Sequence, residues 1–235
     1  MFTWRDIVNN YLDKFNLNDK QKLQFKQYFQ FLIAENKKIN LTSIIEEEEV
    51  YVKHFYDSLS MINAGIDLKN KSICDIGSGA GFPSIPLKIL EPTLQVTIIE
   101  PTTKRIRFLE RLCDILKLTE VTIINDRAEN VIKNYREGFD IVTARAVANL
   151  PIILELSIPF IRVGGSFIAY KGQSYAAEIK TAERCLTTLE ADLKSVYEYE
   201  LPADMGSRAL LEFTKSKATN IKYPRKYADI KKKTL

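Results

Sequence analysis

Short runs of β-branched residues alternate with longer amphipathic stretches from about residue 72 of this 235-residue chain onward. The stretches between the first five runs are long enough for crossover helices, which predicts a parallel sheet covered by helices on both faces. Only a short turn separates the last two runs, so they are expected to pair as an antiparallel hairpin. The sequence thus predicts an α/β, Rossmann-like, mostly parallel sheet of seven strands: Ser72–Ile76, Val96–Glu100, Val121–Asn125, Phe139–Thr143, Ser166–Tyr170, Leu193–Leu201 and Arg208–Thr214.

The first 70 residues contain no clear strand pattern and are predicted to form a helical extension. Phe25, Tyr28, Phe29 and Leu32 follow the i, i+3, i+4, i+7 spacing of one helix face. A second helix is expected over about residues 46–60, because its opening glutamates match the positive end of the helix dipole. We therefore predict a helical extension over residues 1–70, a sheet domain over 71–221 and a tail over 222–235.

The predicted tail is strongly basic. Residues 222–235 hold six Lys or Arg and one Asp, a charge of +5, whereas the whole chain carries only +4. The rest of the chain is therefore close to neutral. A basic segment beside a neutral body predicts a local contact with a polyanion.

Scarce residue types exclude several chemistries. The chain has one His and three Cys, and no Cys pair has the spacing of a zinc or redox motif, so no metal site is expected. An odd number of cysteines without a disulfide framework fits a reducing, cytoplasmic location. The longest nearly apolar run, residues 150–161, is too short to cross a bilayer, so no membrane contact is expected. Nothing in the sequence demands a dimer, and a monomer is expected.

A glycine-rich loop follows the first predicted strand. Gly77, Gly79 and Gly81 allow the backbone to turn sharply and to approach a ligand without a Cβ clash. Phe82 occupies the position where a dinucleotide-binding fingerprint has its third glycine. With Asp75 at the strand end, the loop resembles the first motif of class I S-adenosylmethionine (SAM) methyltransferases, where a carboxylate would face a cationic ligand.

Two further segments indicate a nucleoside ligand. Glu100 ends the second strand, where a carboxylate can accept hydrogen bonds from both ribose hydroxyls, as it also does in NAD enzymes. Residues 126–129 follow the third strand and are placed to line the adenine face of the same crevice. At this point an NAD-dependent oxidoreductase and a nucleic-acid-binding protein with a degenerate pocket remain alternatives, and so does methylation of another RNA or of a small molecule.

The order of several motifs along nearly the whole chain resembles the small-subunit (16S) ribosomal RNA methyltransferase G family, also called glucose-inhibited division protein B. The motifs that carry the resemblance are Asn40-Leu41-Thr42, His54-Phe55-Tyr56-Asp57-Ser58-Leu59, Asp75-Ile76-Gly77-Ser78-Gly79-Ala80-Gly81-Phe82-Pro83, Lys104-Arg105, Phe108-Leu109, Arg127-Ala128-Glu129, Thr143-Ala144-Arg145-Ala146-Val147, Lys171-Gly172 and Tyr223-Pro224-Arg225.

The resemblance implies methylation of N7 of one guanine, position 527 in the 530 loop of 16S rRNA in the small ribosomal subunit, with SAM as cofactor. It implies that SAM lies against the glycine loop, with the ribose at Glu100 and the methionine end near Arg145. The implied cofactor-binding residues are Asp75, Gly77, Ser78, Gly79, Gly81, Phe82, Glu100, Pro101, Thr102, Ala128, Glu129 and Arg145.

Guanine N7 carries a free lone pair and releases no proton when it is methylated, so no general base is expected. Arg145, at the end of the fourth strand, is the candidate for positioning substrate or cofactor. Basic and polar groups are needed to hold the RNA. The candidates for RNA binding are Asn40, His54, Arg127, Lys171 and Arg225.

Overall fold

The computed structural model describes residues 4–235, and its central feature is one seven-stranded sheet. The strand order is β3-β2-β1-β4-β5-β7-β6, with β1 to β5 parallel and β7 antiparallel to both β5 and β6. The predicted fold is therefore confirmed. The strands are β1 Ser72–Ile76, β2 Gln95–Ile99, β3 Val121–Ile124, β4 Phe139–Arg145, β5 Ile161–Lys171, β6 Ala191–Glu200 and β7 Ser207–Lys215.

Helices cover both faces of the sheet. Adjacent residues on a strand point to opposite faces, so Ile98 joins one core cluster and Ile99 the other. The first cluster lies against α1, α2, α5 and α6, and the second against α7 to α10. The helices are α1 Trp4–Leu12, α2 Asp19–Ile39, α3 Glu47–Val50, α4 Asp57–Asn63, α5 Ser84–Leu90, α6 Thr103–Leu116, α7 Ala128–Tyr135, α8 Leu150–Ser157, α9 Tyr175–Leu189 and α10 Tyr227–Lys232.

The long helix of the N-terminal extension packs against the sheet domain. Its start is fixed by Asn18, whose side chain accepts from the Gln21 backbone while the Gln21 side chain accepts from the Asn18 backbone. Phe25, Tyr28 and Leu32 are fully buried in the first core cluster, as their spacing predicts. The extension and the sheet domain therefore share one core.

The helix expected over about residues 46–60 contains an irregular turn. Between α3 and α4 the backbone forms a π-helical segment over Tyr51–Tyr56. Such segments are rare in proteins overall, and those that occur often lie at functional sites. This one holds His54, whose side chain is buried.

The basic C-terminal segment folds back onto α8. Ile230 is fully buried and Tyr223 is nearly so, both in the second core cluster. The Arg225 guanidinium donates to both oxygens of the fully buried Glu155, at 2.8 and 2.6 Å, and the Arg225 backbone N–H donates to the same carboxylate at 2.9 Å. Residues 222–235 thus contribute to the core, while the domain boundaries proposed from the sequence stay predictions.

Residues 4–235 lack two features, a membrane-spanning helix and a metal-binding cluster. No helix in this part of the chain is long and apolar enough to cross a membrane. Over the same residues, no cluster of three or more His, Cys, Asp or Glu side chains is arranged to hold a metal ion.

Arg225→Ala is expected to lower the free energy of unfolding by about 3 kcal/mol, because it leaves the Glu155 carboxylate buried without its ion pair. Chemical denaturation measures the change. Lys231→Ala, on the exposed side of the same segment, is the control and should stay within about 0.5 kcal/mol of the parent. A loss below about 1 kcal/mol for Arg225→Ala would show that this ion pair does not anchor the tail.

Candidate active site

The site lies at the carboxyl ends of the parallel strands, where the order reverses between β1 and β4. Loops from adjacent strands diverge there, and open α/β sheets bind their ligands in the crevice that results. The loop after β1 carries the glycines, Glu100 follows β2, and Arg145 and Lys171 end β4 and β5. The sheet topology therefore gathers most of the predicted site residues at one edge.

The glycine loop requires its glycines and is held by a residue from the extension. Gly77, Gly79 and Gly81 all have positive φ, and a Cβ at Gly81 would lie 2.8 Å from the Tyr28 hydroxyl. That hydroxyl donates to the Ala80 carbonyl, and the Tyr28 ring stacks on Phe82 with centroids 5.3 Å apart. Burial raises the pKa of Tyr28 well above its ordinary value, which keeps the hydroxyl a donor.

Asp75 is fully buried behind this loop. Its carboxylate accepts from the Ser84 backbone N–H at 3.3 Å and from Thr143 Oγ1 at 3.2 Å. Burial raises the pKa of Asp75 to about 7, and the hydrogen bonds from Ser84 and Thr143 oppose that rise. These contacts tie the loop to the start of α5 and to β4, and the predicted contact between Asp75 and the cofactor stays a prediction.

Glu100 connects the glycine loop to the turn after β2. Its two carboxylate oxygens accept from the backbone N–H groups of Gly79, at 3.1 Å, and Thr102, at 3.0 Å. The side chain is almost fully buried, with Arg105 at 3.5 Å as its cationic neighbour. The carboxylate thus lies beside the glycine loop, where the ribose is predicted.

A cavity of about 250 Å³ opens between the loops after β1, β2 and β3. It brings together four predicted cofactor-binding residues, Gly77, Pro101, Ala128 and Glu129. The other eight predicted cofactor-binding residues do not line it: Asp75, Ser78, Gly79, Gly81, Phe82, Glu100, Thr102 and Arg145, of which Arg145 lines a different space. Its other walls are Ile76, Ile99, Asp126, Arg127, Val147, Leu156 and Tyr227.

A second cleft, of about 460 Å³, lies on the other side of the β4–α8 loop. Ala146 and Ala148 of that loop line this cleft, while Val147 between them lines the first cavity. The two spaces are therefore neighbours with a single loop between them. The remaining lining residues of the cleft are Ile44, Lys53, His54, Asp57, Arg145, Tyr170, Lys171, Gly172, Glu178 and Arg208.

Arg145 is held in this cleft by groups from the extension. One of its terminal nitrogens donates to Asp57 Oδ2 at 2.8 Å, and the other lies 2.7 Å from His54 Nδ1. Asp57 Oδ1 in turn accepts from the Tyr199 hydroxyl at 2.7 Å. The Arg145 guanidinium also lies over the Phe82 ring, 5.2 Å from its centroid, which links the cleft to the glycine loop.

The hydrogen bonds of His54 define its tautomer. Because Arg145 has no acceptor, His54 Nδ1 must accept, and the Nε2–H is left to donate to Thr42 Oγ1 at 2.9 Å. The ring stacks on Phe82 with centroids 4.4 Å apart. Burial, together with the positive charge of Arg145, lowers the pKa of His54 from 6.5 to about 3, so the ring is neutral near pH 7.

The predicted RNA-binding residues lie in different surroundings. Lys171 is in the cleft, where its ammonium donates to Glu178 at 2.7 Å and to the Ala148 carbonyl at 3.1 Å. Asn40 is exposed at the end of α2, beside Leu41 and Thr42. Lys171 and His54 therefore line the cleft, whereas Asn40 does not.

Arg127 and Arg225 lie away from the cleft. Arg127 is exposed beside the smaller cavity, with its guanidinium 5.4 Å from the centroid of the Tyr227 ring. Arg225 is bound to Glu155, as described above. Their predicted contacts with RNA stay predictions.

Sequence reasoning missed several residues that shape the site. Tyr28 is predicted only as a core residue, although its hydroxyl holds the glycine loop. Tyr199 and Tyr227 carry no sequence signal, because each reaches the site from a distant part of the chain. His54 and Asp57 belong to one sequence motif, but only the structure shows that both contact Arg145.

Comparison with known proteins places these features in a family. The family model described as rRNA small subunit methyltransferase G matches residues 21–205. A curated relative with the name Ribosomal RNA small subunit methyltransferase G, from Staphylococcus carnosus, is 48% identical over 214 residues and covers 89% of each chain. The relative of the same name from Lactobacillus acidophilus is 46% identical over 225 residues and covers 94% of each chain.

Solved structures of lower identity share the fold. TYW2 of M. jannaschii in complex with AdoMet has a TM-score of 0.54 at 17% identity, covering 68% of this chain and 76% of that one. A 16S rRNA (adenine(1408)-N(1))-methyltransferase from Catenulisporales acidiphilia also has a TM-score of 0.54, at 12% identity, covering 65% of this chain and 88% of that one. By its sequence match and its fold, this chain belongs to the rRNA small subunit methyltransferase G family.

Proposed function

We propose that this protein transfers the methyl group of SAM to N7 of a guanine in 16S rRNA, position 527 of the 530 loop. The coarser activity, SAM-dependent methylation of small-subunit rRNA, is that of its family. The observation that carries the finer proposal is the pair of neighbouring spaces separated by residues 146–148. One is a mostly apolar cavity beside the glycine loop, and the other is a cleft around Arg145 whose lining includes several charged side chains.

The smaller cavity fits the adenosine part of SAM. Ile99, Pro101 and Leu156 supply apolar walls for a purine. Glu100, which lies in sequence between the lining residues Ile99 and Pro101, is the carboxylate proposed to accept from the ribose hydroxyls. A Cβ at Gly79 would meet no atom within 4 Å, so this part of the loop borders open space. When bound, SAM would supply an electrophilic methyl group on a cationic sulfur, and the chain's own residues would bind and orient it.

The larger cleft suits the guanine and its flanking backbone. Its cationic side chains, Lys53, Arg145, Lys171 and Arg208, carry only donor atoms, which suit phosphate oxygens and the O6 atom of guanine and leave the N7 lone pair free. Exposed single-stranded bases are the usual targets of RNA-reading enzymes. In this proposal Arg145 orients the base, and His54 and Asp57 hold Arg145.

Methylation at N7 demands alignment more than acid–base chemistry. The lone pair attacks the methyl carbon, the carbon–sulfur bond breaks, and the sulfur keeps the electron pair, so no proton leaves N7. The rate gain then comes from holding nitrogen, carbon and sulfur in line. A neutral, fully hydrogen-bonded His54 is consistent with this, since no step needs it as a base.

The alternatives are tested by binding and product analysis. Calorimetry with SAM and NAD separates a methyltransferase from an NAD-dependent oxidoreductase, against which the antiparallel β7 and Phe82 at the end of the glycine loop already argue. Small subunits from cells lacking the protein, incubated with it and methyl-labelled SAM, should gain one 7-methylguanosine at position 527. Label at another atom or another nucleotide would refute the proposed specificity.

Arg145→Lys is expected to reduce methyl transfer by about 100-fold while SAM affinity changes little, because a single ammonium cannot replace the fork that contacts His54 and Asp57 together. Single-turnover assays and calorimetry measure the two quantities. Arg162→Lys is the matched control, since Arg162 pairs with Asp140 near the start of β5. Equal activity of the two variants would remove Arg145 from substrate positioning.

The single His of the chain is expected not to titrate between pH 5 and 8, because its folded-state pKa is lowered to about 3. NMR of the ring carbons follows one unambiguous signal. The unfolded chain takes up this proton near pH 6.5, so His54 should make the protein less stable as pH falls from 6.5 towards 3. A midpoint near 6.5 in the folded protein would contradict the hydrogen-bonded tautomer.

A further inference from the structure

We infer that the C-terminal segment is part of the cofactor site, with Tyr227 as an aromatic wall for the adenine of SAM. This inference rests on the proposed function, because it assigns the smaller cavity to adenosine. It gives the segment a role in binding a nucleoside, in addition to the polyanion contact that its charge predicts. It also names a binding residue that lies outside the 21–205 match to the family model.

The position of Tyr227 is the first support. The ring is half-buried and lines the 250 Å³ cavity together with Ile99, Pro101 and Leu156. Aliphatic side chains on several sides and one aromatic ring form the environment in which a flat purine binds well. Stacking on an aromatic side chain tolerates any base, because every base has a π-face, but it requires the aromatic ring of the protein.

The anchoring of the segment is the second support. Arg225, two residues before Tyr227, is bound through its side chain and its backbone to Glu155. Glu155 is adjacent on α8 to Leu156, which lines the cavity. Three residues after Tyr227, the side chain of Ile230 is fully buried. The Tyr227 ring therefore lies between two anchored residues, Arg225 and Ile230, and the partner of Arg225 is next to a residue that lines the cavity.

Arg127 provides the third support. Its guanidinium lies 5.4 Å from the Tyr227 ring centroid, and Arg127 is also a lining residue of the cavity. This cation–π contact restrains the ring from the side of the β3–α7 loop. The loops after β1, β2, β3 and β4 thus line the space together with Tyr227 of the tail.

The three lysines near the end of the segment lie on its exposed side. Lys231, Lys232 and Lys233 are exposed at the end of α10, the helix that begins with Tyr227. Deletion of residues 222–235 would remove these lysines and the Tyr227 ring together, so it cannot separate an effect on RNA from an effect on SAM. Point variants are needed.

The test is calorimetric titration of the full-length protein and its variants with SAM and with adenosine. Tyr227→Ala should weaken the affinity for both ligands by about tenfold or more, because the stacking surface is lost. Tyr227→Phe keeps the ring and should stay within about twofold of the parent. Asp229→Ala, an exposed position on the same helix, is the matched control and should leave both affinities unchanged.

The outcomes separate the inference from the proposed function. Equal losses for SAM and adenosine in Tyr227→Ala, with Tyr227→Phe and Asp229→Ala unaffected and the thermal midpoint of the ligand-free Ala variant preserved, support the inference. Parent-like SAM affinity of Tyr227→Ala overturns it while the methyltransferase proposal stands. If the parent protein itself binds neither SAM nor adenosine, both the cofactor assignment and the inference fall.

Discussion

A single guanidinium, that of Arg145, connects the parts of the molecule on which the site depends. It comes from the end of β4 and contacts Asp57 and His54 of the extension, and it lies over Phe82 of the glycine loop. The charge is largely buried, which would be costly without the Asp57 carboxylate and the additional hydrogen bonds. The extension is thus required to compensate this charge. Its residues His54 and Asp57 also line the cleft.

The glycine loop is also held by residues from other parts of the chain. Tyr28 reaches the loop from α2, and Glu100 reaches it from the end of β2, so two different elements of the chain hold the loop. Preorganisation of this kind is what a methyl transfer without a general base demands, since the rate gain must come from geometry. The neutral His54 then acts through the residues it positions.

The sheet and its loops were predictable because their signals are local. Runs of β-branched residues mark each strand, and the positive φ values of the glycine loop require the residues that the sequence supplies there. The cluster around Arg145 was only partly predictable. Its ion pair with Asp57 spans 88 residues, and the Tyr28 hydrogen bond spans 52, distances over which single-sequence patterns carry no pairing information.

The position of the C-terminal segment was likewise not predictable from the sequence, because it depends on contacts with distant residues. Composition alone marks a basic end, yet one ion pair across 70 residues and the burial of Ile230 bring it into the core. The charge predicts a contact with a polyanion, which stays a prediction, whereas Tyr223, Arg225 and Ile230 hold the segment against α8 and the second core cluster.

The central claim is that guanine N7 itself attacks the methyl group, aligned by the cleft and without a base. The most direct measurement uses small subunits reconstituted with 7-deazaguanine at position 527, which replaces the nucleophilic nitrogen by a C–H group. The account predicts that the protein still binds this particle and SAM but transfers no methyl group to it. Methyl transfer at a parent-like rate would contradict the account, because another atom would then have to be the acceptor.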